Sequence, residues 1–361
     1  MLPRLEPRKS PSRVMLYVTP ALAVLLTMAT GLVVFSAMGF DGAGAVYEIF
    51  VVPLVETRHW PDLGIKAAPL IIIAVGLAAG FRANVWNIGA EGQYVFGALA
   101  ATGVALATWH LEGWWILPVM CLAGVLGGMA YAAVPAGLKT RAGVNEILTS
   151  LMLTYVAIQL LNYLMRGPWK DPEGYNFPQT RLFTDWQLLP YVAEGSLVHI
   201  GVPIAVLIAL SAAVVMGRTI VGYEVRVVGI APNAARHGGF HAARTTWLCL
   251  LVSGGLAGLA GTFEAAGPFG QMVPQFPVGY GFTAIIVAFL GRLHPLGIIL
   301  AGLVLAISYV GGELAQTEIG LPHAATAMFQ ALMLFFLLAV DVLIRYRIRF
   351  GGRPAVQEAE A

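Results

Sequence analysis

Ten continuous apolar runs punctuate the chain, at Val14–Phe35, Ala67–Phe81, Tyr94–Trp109, Trp115–Ala136, Val144–Met165, His199–Met216, Thr245–Ala265, Gly279–Leu290, Pro295–Gly311 and Ala324–Ile344. None alternates apolar with polar residues, so the pattern predicts helices rather than strands. An apolar helix of about 20 residues crosses the hydrocarbon core of a bilayer. The runs therefore predict an all-α integral membrane protein with about ten transmembrane helices. Gly279–Leu290 is short: at about 1.5 Å per residue it covers roughly half of a ~30 Å core. It predicts a broken or re-entrant helix, completed by its flanks. The first run exceeds the length of a secretory apolar region and precedes no small-x-small cleavage site, so it reads as a retained span behind a cytoplasmic segment, residues 1–13.

Composition agrees with that solvent. Of the 361 residues 58% are hydrophobic and 11% charged, and the mean hydropathy is +0.78. An average soluble domain carries about a quarter charged residues. A soluble enzyme, a nucleic-acid binder and a disordered regulator are disfavoured together. Starting inside and alternating across ten spans places 16 of the 21 lysines and arginines on the inner side, leaving Arg58, Lys66, Arg166, Lys170 and Arg181 outside. This asymmetry predicts a protein with both termini in the cytoplasm, multi-pass in the inner membrane. The transmembrane body then runs over 14–344, with an outer loop at 166–198, an inner loop at 217–244 and a basic, then polar, cytoplasmic tail at 345–361. That tail predicts a disordered end whose arginines meet membrane lipid.

Polar residues at membrane depth are costly and mark function. The densest stretch is Phe81-Arg-Ala-Asn-Val-Trp-Asn-Ile-Gly-Ala-Glu-Gly-Gln93, where Gly89 and Gly92 bracket Glu91 among amide side chains. It reads either as a broken element lining a path or as a simple inner loop. Asn87, Glu91 and Gln93 are candidate path residues. Asn145 and Glu146 open a second polar entry, continued by Thr149, Ser150, Thr154, Tyr155, Gln159 and Asn162. Those residues read as a stripe facing a pore, while Asn145 alone reads as a helix cap. Ile88-Gly89 and Ala98 recur as Val278-Gly279 and Ala288, about 190 residues on, an echo of the kind that two halves of a transporter carry. Gly124–Gly128 and Gly254–Gly258 have the spacing of close helix contacts. With 42 glycines in the chain, such pairs are expected by chance.

Other chemistry is sparse. Cys121 and Cys249 lie in separate apolar runs and read as packing residues. The histidines lack ligand spacing, so no metal site is predicted, and there is no Gly-x-x-x-x-Gly-Lys-Ser/Thr phosphate loop. ATP and magnesium, if they power the protein, bind to another chain.

Four ordered blocks resemble a family. Asn87-Ile-Gly-Ala-Glu-Gly-Gln93, Gly143-Val-Asn-Glu-Ile-Leu-Thr-Ser150, the stretch from Gly222-Tyr-Glu-Val-Arg226 through Val228-Gly-Ile-Ala-Pro-Asn-Ala-Ala-Arg236, and Gly281-Phe-Thr-Ala-Ile-Ile-Val-Ala-Phe-Leu-Gly291 look like the signatures of permease subunits of bacterial ABC importers. The branch is that of ribose, branched-chain amino acid and nucleoside systems, and the wording is most similar to nucleoside permeases. The resemblance implies a non-enzymatic transport subunit importing a small polar solute, a nucleoside first, with a ribose-like sugar or an amino acid as the alternative. An ion-coupled secondary transporter is a more distant alternative. The resemblance also implies an ATPase subunit, a second permease copy or relative, and an extracytoplasmic substrate-binding protein. It makes Gly222–Gly239 the coupling element, with Glu224, Arg226, Ala234, Ala235, Arg236 and Gly238 as the residues that meet the ATPase. Phe289 departs from the small or aliphatic residue expected in the last block.

Overall fold

The computed structural model describes residues 3–7, 13–193 and 195–350. In chain order the elements are β1 (Pro3–Pro7), α1 (Arg13–Ala37), α2 (Gly42–Phe50), α3 (Val52–Val55), α4 (Trp60–Arg82), α5 (Ala90–Ala107), α6 (Ile116–Ala142), α7 (Glu146–Arg166), α8 (Gly201–Arg218), α9 (Ile220–Ile230), α10 (Pro232–His237), α11 (Ala242–Glu264), α12 (Tyr280–Leu290), α13 (Pro295–Glu318), α14 (His323–Arg345) and β2 (Tyr346–Phe350). Every predicted span holds a helix. Eight helices among the described residues are long and apolar enough to cross a membrane. The two other predicted spans are α5, which opens on polar Glu91 and Gln93, and the 11-residue α12.

The chain packs as two units. One comprises Met1–Glu48 and Gly312–Ala361. Here α1 lies against α14, with Phe35 stacked on Phe329. Strands β1 and β2 pair antiparallel, Pro3 opposite Phe350 and Pro7 opposite Tyr346. That pairing corrects the expected disordered tail for residues 346–350, and residues 351–361 lie outside the described ones. It also brings the start of α1 and the end of α14 to one side, as an even number of crossings requires.

The second unit is Ile49–Gly311. Its centre is α4, whose apolar side chains are buried all round, from Ala67 to Ala78 without interruption. Helices α5, α6 and α11 pack against one another and α11 also against α4, whereas α7 and α8 leave most of their surface uncovered. The small-residue pairs are not accidental. A methyl on Gly124 would fall 1.9 Å from Thr262 Oγ1, and one on Gly258 2.1 Å from the carbonyl of Gly124. Gly128 and Gly254 oppose each other in the same way. Without a hydrophobic force between helices in lipid, such backbone-to-backbone approach is what holds α6 to α11.

Two segments outside the predicted spans also carry helix. The segment between the first two spans folds into α2 and α3, and the inner loop 217–244 contains α9 and α10. Thr219 caps α9 by accepting a hydrogen bond from the Gly222 amide, and Pro232 sits at the first turn of α10.

Candidate functional site

The irregular stretch predicted around Asn87 is real and buried. Helix α4 ends at Arg82, and the chain turns through Asn84 in a left-handed conformation (φ 57°). It then runs without helix to Ala90, where α5 begins; Val85 and Asn87 are nearly inaccessible. A second break lies between α11, extended by a wide turn at Ala265–Phe269, and the start of α12 at Tyr280. The echoed glycines Gly89 and Gly279 are thus the residues that precede the two half-helices, α5 and α12.

The two starts meet. Glu91, 1% exposed, accepts hydrogen bonds from the amide of Gly279 through Oε1 (2.9 Å) and from that of Gly281 through Oε2 (2.6 Å). A methyl on Gly281 would lie 2.2 Å from the Glu91 nitrogen, so the helix ends touch at the backbone. Each helix N-terminus carries partial positive charge and unpaired amides. Seated in the first turn of α5 and accepting two amides from the start of α12, this carboxylate stays buried with no cation bonded to it among the described residues.

Around this point most other polar groups satisfy one another, although the buried Tyr94 hydroxyl, one turn along α5, has no hydrogen-bond partner among the described residues. Asn87 and Gln93 form a reciprocal amide pair (2.7 and 3.1 Å), and Asn87 also donates to Ser253 on α11 (2.9 Å). Glu146 pairs with Lys139 and accepts from the Trp86 amide, while Ser150 accepts from the Ile88 amide (3.3 Å). Asn145 is exposed and caps α7 through the Ile147 amide (2.8 Å), the structural role foreseen as one of its two readings. Asn87, Glu91, Gln93 and Glu146 therefore lie together, and Asn145 stands apart. If Lys139 is replaced by Met, Glu146 loses the partner that offsets its burial. Unfolding free energy should then drop by about 3 kcal/mol, and Lys139→Met with Glu146→Leu should recover much of it. Thermal unfolding of the purified variants reads both.

The predicted stripe on α7 divides. Ser150 and Thr154 are buried against α5, but Gln159 is exposed. At about 100° per residue, Gln159 lies roughly 140° around the helix from Thr154, so one face cannot hold both. The exposed face instead carries Met152, Tyr155, Gln159 and Tyr163. Phe289, which departs from the expected block, stacks on Phe81 (5.2 Å) and Trp86 (6.0 Å), filling the space beside the irregular stretch.

The outer loop is ordered and covers the second break. Amides of Thr180, Phe183 and Leu189 donate to the carbonyls of Met272, Gly270 and Ala266, and Gln187 reaches the Ala105 carbonyl (2.8 Å). These bonds satisfy backbone that no helix satisfies, as burial at membrane depth demands. At the other end, α9 and α10 present Arg226, Ala234, Arg236 and Gly238 to the surface. Glu224 is half-buried and accepts from Thr245 (2.8 Å), and Ala235 is 1% exposed, an anchor of α10 rather than part of its outer face.

Eight span-length helices among the described residues, with α5 and α12 starting at one shared buried polar point, define a multi-pass membrane protein. The family of branched-chain amino acid transport system permease components matches residues 62–340, and the chain belongs to it. It is 38% identical over 355 residues to a glucose ABC transporter permease protein of Haloferax volcanii, covering 96% of this chain and 93% of that one. It is 27% identical to a guanosine ABC transporter permease protein of Bacillus subtilis (92% and 94% covered). A nucleoside ABC transporter permease protein of Lactococcus lactis is 25% identical (95% of each). The chain is accordingly a non-enzymatic permease component of the ABC type, in the inner membrane.

Proposed function

We propose that this permease forms half of the path of an ATP-driven importer for a small polyhydroxylated solute. The observation that carries the reading is the meeting of two half-helix starts at Glu91. Discontinuous helices at one depth are how transporters place backbone polarity beside a path. The nearby face of α7 supports it. Gln159 makes no hydrogen bond among the described residues, and an amide is poorly tolerated in hydrocarbon. That face, with Tyr155 and Tyr163, suits solute hydroxyls and a second permease, identical or related. Glu91 and the Asn87–Gln93 pair hold the broken ends in place behind it.

Power comes from elsewhere. An ATPase subunit binds ATP and magnesium, and an extracytoplasmic binding protein delivers the solute. The α9–α10 segment is the coupling element, with the exposed Arg236 of α10 meeting acidic groups on the ATPase. Directionality follows from the different solute affinities of the two conformations that the ATPase imposes. Ala234→Glu with Arg236→Glu should cut ATP-dependent uptake by at least about tenfold, the effect of losing ~1.4 kcal/mol at the docking surface. The ATPase should also fail to co-purify. Unchanged association and uptake would remove α10 from that role.

Two solute classes compete. The block around Asn87 and the long outer loop at 166–198 favour a nucleoside, whereas the higher identity to the Haloferax glucose permease favours a simple sugar. Uptake of labelled guanosine and glucose by vesicles holding the full complex separates them. Uptake that survives collapse of the proton gradient but needs ATP excludes an ion-coupled carrier.

A further inference from the structure

A half-open cavity of about 270 Å³ lies between α4, α8 and α11 and the turn that precedes α13. Its wall is apolar, with Val75 and Ala79 from α4, Ala212 from α8, and Val252 and Leu256 from α11. An enclosed apolar cavity of roughly 150 Å³ accepts a benzene-sized guest, so this one has room for a longer stretch of hydrocarbon. The single charged side chain in its wall is Arg82, the last residue of α4.

Arg82 is half-buried, and among the described residues its guanidinium makes no hydrogen bond and no ion pair. Helix α9, which carries Arg226, packs on the end of α4, where a methyl on Gly229 would lie 2.0 Å from the Arg82 carbonyl oxygen. Among the described residues Arg226 itself bonds only the Gly222 carbonyl. A cationic rim without acidic compensation thus closes one end of an apolar groove. Guanidinium groups bind phosphate oxygens through paired, charge-assisted bonds. An inorganic anion would answer the arginines and leave the groove empty, and a neutral alkyl chain would fill the groove and leave the arginines bare. One molecule does both.

We propose that this groove is a binding site for an anionic phospholipid, its phosphate on Arg82 and Arg226 and part of one acyl chain between α4, α8 and α11. The charge pattern of the chain puts this end at the cytoplasmic leaflet, where anionic lipid is available.

The test is lipid retention by the complete transporter, a readout independent of transport. The complex is loaded in nanodiscs of phosphatidylglycerol and phosphatidylcholine, exchanged into phosphatidylcholine alone, and its bound lipid counted by native mass spectrometry. The wild type should keep phosphatidylglycerol. Arg82→Gln, which removes the headgroup contact, and Ala212→Phe, which fills the groove, should each lower retention by about fivefold or more. Arg82→Lys should retain more than Arg82→Gln, and Arg218→Gln should match the wild type. Melting temperatures equal to the wild type show that the variants are folded, and Arg82→Lys serves as the charged control. Undiminished phosphatidylglycerol in Arg82→Gln overturns the site. So does retention in Ala212→Phe, which would mean an anion held without a chain, or stripping of the lipid by inorganic phosphate alone. Equal retention of phosphatidylcholine, or cross-linking of a cysteine at position 212 to a partner subunit, overturns it as well.

Discussion

Gly258→Val yields a permease that does not assemble its α6–α11 contact. The first added carbon already lies 2.1 Å from the Gly124 carbonyl and 3.1 Å from the Gly128 Cα, and both are backbone. Backbone cannot swing aside as a side chain does, so the helices have to separate. Overpacking in a core costs about 1–3 kcal/mol where side chains can adjust, and here the top of that range is the floor. The expected result is little folded protein in the membrane and, for what is recovered, a melting temperature well below that of the wild type. Gly217→Ala is the contrast, because a methyl there meets nothing within 4 Å on a helical backbone. It should leave the fold intact and add about 0.4–1 kcal/mol by restricting the unfolded chain. A Gly258→Val protein that melts like the wild type would show that α6 and α11 are not held by close approach.

Replacing Glu91 with Gln should separate the two half-helices. The carboxylate accepts from Gly279 and Gly281 with one oxygen each. An amide keeps one acceptor and turns an NH₂ donor on the other backbone N–H, so one buried bond is lost and two donors face each other. Hydrogen bonds to charged groups contribute about 1.5–3 kcal/mol each, and a buried donor without a partner costs a similar amount. The start of α12 then loses its clamp, and uptake should fall at least about tenfold, equivalent to ~1.4 kcal/mol. Association with the ATPase, which the proposed coupling role assigns to α9 and α10, should persist. Hydrogen exchange at the amides of Gly279 and Gly281 gives the direct reading. Slow exchange there with full uptake in the variant would reduce Glu91 to a bystander.

Several features were readable along the chain because their cause is local. A backbone crossing lipid needs its amides satisfied within one segment, so each crossing leaves a long apolar run. The runs predicted at Val14–Phe35 and Ala324–Ile344 reappear as α1 and α14, and the short one at Gly279–Leu290 as the half-helix α12. The stretch from Phe81 to Gln93 was equally conspicuous, since clustered amides and a carboxylate among apolar residues have few reasons to be there. The stripe assigned to α7 went astray through angle rather than composition, because five residues carry a side chain most of the way to the opposite face. The helices α2, α9 and α10 escaped notice for another reason. They are short, and their mixed composition gives a weak period.

By itself the sequence determined the solvent, the helical class with its long apolar runs, the family motifs and the irregular polar stretch that precedes α5. Those follow from the cost of placing polar groups in hydrocarbon, which each residue registers independently of its distant neighbours. Only the tertiary structure decided which glycines touch, that Glu91 reaches Gly279 and Gly281 far along the chain, that Ala235 faces inward while Arg236 faces out, and that Arg82 stands uncompensated beside an apolar groove. A glycine is silent about its partner because it has no side chain to betray one. A carboxylate announces that it needs donors without saying which backbone supplies them. Both answers come from packing, which brings together residues that the chain keeps far apart.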